Sequence, residues 1–158
     1  MRKLPPLPPS AAAAIADSEF AAHYPLRILL AEDNPVNQKV GRRVLQHLGY
    51  TADVAADGCA VLQMLEANDY DLILMDVHMP QMDGLEATRR IVGCEQAAAR
   101  RRQGGGRRPY IAAVTASATY EDRRQCLAAG MDGYVSKPFT LVELRALLES
   151  VFLDRQAS

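Results

Sequence analysis

This 158-residue chain has no uninterrupted apolar run of the ~18 residues that a membrane-crossing helix requires, which excludes a spanning segment of that kind. Cysteine is scarce. Cys59, Cys94 and Cys126 stand more than 30 residues apart, a spacing that matches no local metal motif, and an odd count argues against a disulfide framework. A reducing, cytoplasmic setting is therefore expected. Charge of one sign is also lacking: the formal net charge of −1 favours neither bulk nucleic-acid binding nor a sink for acidic substrates. No internal repeat is visible, and the length fits one domain better than two. What remains is ordinary for a soluble globular protein, 49% apolar and 23% charged.

The first 25 residues differ in composition from the rest. Pro5, Pro6, Pro8 and Pro9 precede an alanine run, Ala11 to Ala14. Arg2 and Lys3 mimic the basic start of a secretory signal, but the prolines interrupt it and the apolar stretch is too short. Residues 1–25 are read as a flexible Pro/Ala tether, with the fold running from Leu26 to Leu153 and a short tail over 154–158.

From Leu26 onward, short apolar runs alternate with amphipathic segments. Leu26–Ala31 predicts a buried strand that stops at Glu32-Asp33. Asn34 as a cap and Pro35 at the first position then open a helix. Val36, Val40, Val44 and Leu48 recur every four residues along it, and Gly49 ends it. Strands follow at Thr51–Ala55, Asp71–Met75, Tyr110–Thr115 and Gly133–Ser136, interleaved with helices at Gly58–Ala67, from Asp83-Gly84 to Val92, at about Thr119–Ala129, and after Lys137-Pro138. Five βα units in a row imply one parallel sheet covered on both faces. Residues 93–109 break the rhythm with five arginines against one acid around Gly104-Gly105-Gly106, and are read as a solvated insertion.

In an open parallel sheet, ligands bind beyond the carboxyl ends of the strands. Glu32 and Asp33, Asp76, Thr115 and Lys137 stand at four of those ends. Three carboxylates gathered there repel unless a counter-charge joins them. Magnesium suits the set, because it takes about six oxygens and keeps several of them as water, leaving positions for phosphate. Asp76 ends the most apolar strand and is the natural nucleophile, giving an acyl phosphate if it attacks phosphorus. Lys137 offers a point charge and Thr115 a hydroxyl to the phosphate oxygens. Taken singly, each residue has a plainer reading as a helix-terminal charge, a loop acid, a β-branched strand end or a turn. Their joint placement at four strand ends favours the functional one.

The segments Leu29-Leu30-Ala31-Glu32-Asp33-Asn34, Asp76-Val77-His78-Met79-Pro80-Gln81-Met82-Asp83-Gly84, Val114-Thr115-Ala116 and Lys137-Pro138-Phe139 resemble the receiver domains of two-component response regulators. The wording around Glu32 and Thr115 is most similar to receivers attached to hybrid sensor histidine kinases. The resemblance implies a doubly wound, flavodoxin-like (βα)5 α/β domain with strand order 2-1-3-4-5. It implies Asp76 as phosphoacceptor, and Mg2+ held by Glu32, Asp33, Asp76 and the backbone carbonyl of His78. Thr115 and Lys137 become the phosphate-binding pair, Tyr134 the switch aromatic, and Pro138 a cis-proline. The side chains of His78 and Ser117 tune the lifetime of the acyl phosphate. The implied partner is a histidine kinase or a histidine phosphotransfer protein. The fourth helix, fifth strand and fifth helix form the expected output face, through which two copies could also pair. No direct contact with nucleic acid is expected.

Two other functions share parts of this pattern. An aspartyl phosphohydrolase usually carries a second aspartate two residues after its nucleophile, where this chain has His78. A binding module would use the basic insertion and keep the acidic site without purpose. His47 invites comparison with a phosphodonor but reads as an exposed surface histidine. The chain ends at Ser158 with no output domain attached, and it is read as a receiver taken from a larger kinase.

Overall fold

In the computed structural model, residues 15–94, 108–116 and 119–156 are described. Five parallel strands form one sheet: β1 (Ile28–Ala31), β2 (Asp53–Ala55), β3 (Leu72–Asp76), β4 (Tyr110–Thr115) and β5 (Gly133–Ser136). Their order is β2-β1-β3-β4-β5, as the resemblance implies. The helices between and after them are α1 (Pro35–His47), α2 (Gly58–Ala67), α3 (Gly84–Gly93), α4 (Tyr120–Ala129) and α5 (Leu141–Gln156).

Successive strand residues point to opposite faces, so the central strands feed two separate cores. Leu30, Leu72, Leu74, Ala112 and Val114 pack with Leu45 and Leu48 of the α1 end and with Leu144, Leu148 and Val151 of α5. Leu29, Ala31, Ile73, Met75, Ile111 and Ala113 pack with Val61 of α2, Ala87 and Ile91 of α3, and Cys126 of α4. Strands covered on both sides need continuous apolar runs. In β1 and β3 every residue is buried.

Side-chain caps start all five of these helices, Thr140 Oγ1 accepting from the Glu143 amide at 3.1 Å ahead of α5. Asn34 Oδ1 accepts from the amides of Val36 and Asn37 at 2.8 and 3.2 Å. Asp57, Asp83 and Thr119 do the same work for α2, α3 and α4. Gly130 ends α4 with φ of 107°, a conformation that a Cβ disfavours.

The expected stripe of α1 holds at its C-terminal end, where Leu48 is buried and Val44 packs on the core, but not at its start. Val36 and Val40 are 68% and 49% exposed, while Gly41, Leu45 and Leu48 face the sheet. A step of four residues overshoots one turn by about 40°, so a strict four-residue repeat winds around the helix instead of staying on one face. Gly41 marks the true contact, because a Cβ there would stand 2.8 Å from Leu30 Cδ2.

The limits of the fold also move. Residues 1–14 of the expected tether lie outside the described residues, but 15–25 are packed. A 3-10 turn, Asp17–Glu19, leads into a one-turn helix, Phe20–His23. Phe20 and Tyr24 are fully buried against the α1–α5 core. The Ala21 amide donates to Leu48 O at 2.9 Å, and the Tyr50 hydroxyl donates to Tyr24 O at 2.5 Å. Arg145 of α5 pairs with Asp17 at 2.7 Å and stacks 4.6 Å over the Phe20 ring. His47 is exposed, and its Nε2 stands 3.0 Å from the other oxygen of Asp17. The two aromatic side chains supply the apolar area that makes this segment part of the domain. Phe20→Ala is expected to lower unfolding free energy by about 3 kcal/mol, through lost transfer energy and a cavity. Urea denaturation checks this; an unchanged midpoint would restore the tether reading.

The tail is likewise shorter than expected, since α5 runs to Gln156. Arg155 Nε reaches Asp71 Oδ1 at 3.3 Å, and its Nη1 donates to Arg108 O at 3.3 Å. Asp71 also accepts from the Arg27 amide at 2.7 Å, and Arg108 forks onto Asp132 at 2.8 and 2.9 Å. Arg27, Asp71, Arg108 and Asp132 all precede strands, so this network closes the edge of the sheet opposite Asp76. Residues 95–107 of the expected insertion lie outside the described residues, and Arg108 ties its return to that opposite edge. Burial alone would raise the Asp71 carboxyl, but the bonds from Arg27 and the charge of Arg155 outweigh it and hold the group below its ordinary 3.8. A lowered carboxyl contributes stability above its unfolded value and loses it as pH falls through the folded one.

Candidate functional site

β1 and β3 are neighbours in register, with Ala31 opposite Met75. Continuing that register by one residue brings Glu32 beside Asp76, the last residue of β3, and Asp33 follows at the start of the loop. One oxygen from each of Glu32, Asp33 and Asp76 lies within 4.8 Å of the others. Glu32 and Asp76 are almost fully buried, at 3% and 4% exposure, whereas Asp33 faces solvent. Oxygens of this kind, with one carboxylate open to water, fit a hard divalent cation that keeps part of its hydration.

Lys137 enters from the end of β5. Its ammonium stands 2.7 Å from Glu32 Oε1 and 3.0 Å from Asp76 Oδ2. Burial pulls the lysine pKa down, yet the hydrogen bonds to Glu32 and Asp76 outweigh that and raise it above the ordinary 10.5. The amine is therefore charged throughout the neutral range. Asp76 Oδ1 accepts from the His78 amide at 3.2 Å, so both oxygens of the carboxylate are oriented. The Lys137–Pro138 bond is cis. The Lys137 amide also donates to Thr115 O at 2.8 Å, which fixes the ends of β4 and β5 side by side.

Thr115 is buried at 6% exposure and lines, with His78, Asp122, Gln125 and Cys126, a cavity of about 60 Å³ between β3 and α4. The His78 side chain is exposed. Tyr134 is half-buried on β5, with the Arg123 guanidinium 4.4 Å from its ring centroid. Ser117 lies outside the described residues. The structure thus brings Glu32, Asp33, Asp76 and Lys137 into one cluster, sets Thr115 at its side, and leaves Tyr134 farther along β5.

The contacts that brace this cluster carry no signal in the sequence, although Glu32, Asn34 and Gly84 themselves lie in the segments that carry the resemblance. Gln38 Nε2 donates to Glu32 O at 2.6 Å, tying α1 to the acidic turn. Glu32 Oε2 accepts from the Asn34 amide at 3.1 Å. Gly84 lies against the backbone of Asp76, where an added Cβ would overlap the Asp76 carbonyl oxygen and stand 2.9 Å from Met75 Cγ. Gly84→Ala is expected to cost about 1–3 kcal/mol of stability by overpacking and to displace Asp76. Chemical denaturation combined with the rate of phosphoryl gain would show both effects together.

Comparison with known proteins agrees with this geometry. The family described as "Response regulator receiver domain" matches residues 28–149, most of the chain. The chain is a member of that receiver family. Histidine protein kinase 1 of Candida albicans is 42% identical over 139 residues, covering 85% of this receiver but only 6% of that protein. Sensor histidine kinase RcsC of Salmonella typhi is 36% identical over 146 residues, covering 92% of this receiver and 14% of RcsC. The receiver thus spans a small part of the curated relatives it matches. Among solved structures, the receiver domain of sensor histidine kinase PA1611 from Pseudomonas aeruginosa PAO1 has magnesium coordinated in its active-site cleft. It is 43% identical, with a TM-score of 0.66, covering 82% of this receiver and 98% of that chain. The receiver of Saccharomyces cerevisiae Ssk1, crystallised with the histidine phosphotransfer protein Ypd1, is 26% identical with a TM-score of 0.74, covering 83% and 91%. Among the described residues, no helix is long and apolar enough to cross a membrane.

Proposed function

We propose that this receiver takes a phosphoryl group onto Asp76 from a phosphohistidine donor, and that the modified carboxylate switches the domain. The observation that carries the reading is the cluster itself, two buried carboxylates paired with a single ammonium and a third carboxylate beside them open to water. The Asp76–phosphorus bond forms as the phosphorus–nitrogen bond of the donor breaks. The imidazole, protonated on its other nitrogen, leaves neutral. The His78 amide and Lys137 orient the two oxygens of Asp76 for this attack, and positioning of that kind carries much of the catalysis in phosphoryl transfer.

Glu32, Asp33, Asp76 and the backbone carbonyl of His78 would hold magnesium, which when bound screens the negative charge of donor and acceptor from each other. After transfer, Lys137 and the Thr115 hydroxyl bond the new phosphate oxygens. The modification adds about −1.5 to −2 charges and three acceptor oxygens, enough to draw Thr115 toward it. Tyr134 follows as the switch aromatic, altering the face made by α4, β5 and α5. Tyr120 and Leu127 on α4 and Val142 at the start of α5 are exposed apolar side chains, which supports an output partner or a second copy docking on that side. Val36 and Val40 stand outside the core just beyond Asp33, which supports α1 as the place where the donor seats. The donor is a histidine kinase or a histidine phosphotransfer protein, and the receiver is the cytoplasmic part of a larger sensor kinase. His78 and Ser117 set how long the acyl phosphate lasts.

Intact-protein mass spectrometry tests the chemistry. With magnesium and acetyl phosphate, the full chain is expected to gain one phosphoryl group, labile to base, and to gain none when the metal is chelated. Failure to gain it from both acetyl phosphate and a phosphohistidine-bearing partner would overturn the proposal.

A further inference from the structure

We infer that Arg123 is a latch on Tyr134, a positioning residue that holds the aromatic in its resting place and so sets how readily the domain switches. The inference rests on the reading of Tyr134 as the switch aromatic.

The guanidinium carbon of Arg123 lies 4.4 Å from the centroid of the Tyr134 ring, within the range over which a cation is attracted to a ring face. The two groups come from different elements. Arg123 lies on the exposed surface of α4, and Tyr134 packs half-buried from β5 against the core layer shared with that helix. The next arginine on α4 behaves differently, for Arg124 pairs with Glu121 at 3.2 Å within the helix. Among the described residues, no carboxylate pairs with Arg123, and the tyrosine ring is its partner. The contact therefore joins α4 to β5 through the one side chain whose displacement is to be transmitted.

A contact shifts an equilibrium only by what it contributes to one state and not to the other. If Tyr134 turns inward toward Thr115, its ring leaves the guanidinium, and the stacking is lost in the switched state alone. An exposed cation–π contact changes such a ratio by about two- to fivefold. The same logic makes the latch a point of control. An acidic partner that drew Arg123 away from the ring would favour the switched state, and by reciprocity phosphorylation would favour that partner.

The test is NMR of the full chain, following the Tyr134 ring and the Thr115 amide before and after phosphorylation in wild type, Arg123→Ala, Arg123→Lys and a Tyr134→Leu background. In Arg123→Ala, the unphosphorylated signals are expected to move toward their phosphorylated positions, with the resting-to-switched ratio falling about two- to fivefold. Arg123→Lys restores most of the resting position, because an ammonium also attracts the ring. In the Tyr134→Leu background, Arg123→Ala adds nothing at Thr115. If Tyr134 moves on phosphorylation but Arg123→Ala leaves the resting signals unchanged, the latch is overturned and the switch reading stands. If the Arg123→Ala shift persists without the ring, α4 acts by another route and the latch is again overturned. If Tyr134 does not move although Asp76 gains its phosphoryl group, the switch reading fails first and the latch falls with it.

Discussion

Asp76→Asn is expected to abolish the phosphoryl gain altogether while leaving the fold intact. The amide keeps the shape of the carboxylate and can still accept from the His78 amide through its oxygen. It lacks the charge and the nucleophilic lone pair needed to form an acyl phosphate. The stability consequence runs opposite to that of most core substitutions. Glu32 keeps its 2.7 Å bond to Lys137, and one of two buried carboxylates in mutual repulsion becomes neutral. The variant should therefore unfold at no lower denaturant concentration than wild type. Mass spectrometry and urea denaturation on one preparation would decide the matter. Residual phosphorylation at full stoichiometry would move the acceptor elsewhere, and a collapsed fold would show that Asp76 is needed for structure.

Lys137→Ala should carry the second large effect, and on two observables at once. Side chains of Glu32 and Asp76 are 4% and 6% exposed, so deleting the ammonium leaves two buried carboxylates without a cation. Removing one partner from a buried pair costs about 3–5 kcal/mol. Lys137 itself retains 24% exposure, so water replaces part of the loss and about 2–3 kcal/mol is the expected figure. The sign of the pH dependence follows. In wild type the lysine contribution is fully present below 10.5 and is lost as pH rises from there through its raised folded value. Added magnesium should recover a larger share of stability in the variant than in wild type, because no ammonium competes for the carboxylates. The rate of phosphoryl gain should drop about 100-fold, the scale expected on losing one preorganised electrostatic donor. A variant as stable as wild type without magnesium would show that Lys137 is not the counter-charge of the cluster.

The alternation of strand and helix was open to reading from local pattern because each element is written by neighbours in sequence. Continuous apolar runs mark β1, β3 and β4, and capping residues mark the helix starts at Asn34, Asp57, Asp83 and Thr119. The acidic edge was open to reading for a related reason. Parallel strands joined by right-handed crossovers all end on one side, so the residues that follow them must meet. Glu32, Asp33, Asp76 and Lys137 needed nothing beyond that rule to be brought together.

What periodicity could not supply is the rotation of a helix and the partner of a distant side chain. Val36 and Val40 look like a core stripe, and only the close approach permitted at Gly41 turns α1 so that they face solvent. Residues 15–25 resemble the end of a proline-rich tether. Their place in the domain depends on Phe20 packing on Tyr24 and Tyr24 meeting Phe152, and on Asp17 meeting Arg145 across 128 residues. The edge network of Asp71, Arg155, Arg108 and Asp132 and the stacking of Arg123 on Tyr134 are of the same kind. By itself the sequence determined the βα order, the strand ends and hence the chemistry gathered there, because those follow from hydrophobic period and chain direction. The tertiary structure alone decided which faces are covered and which charges are paired, because those depend on distances between residues that no local pattern relates.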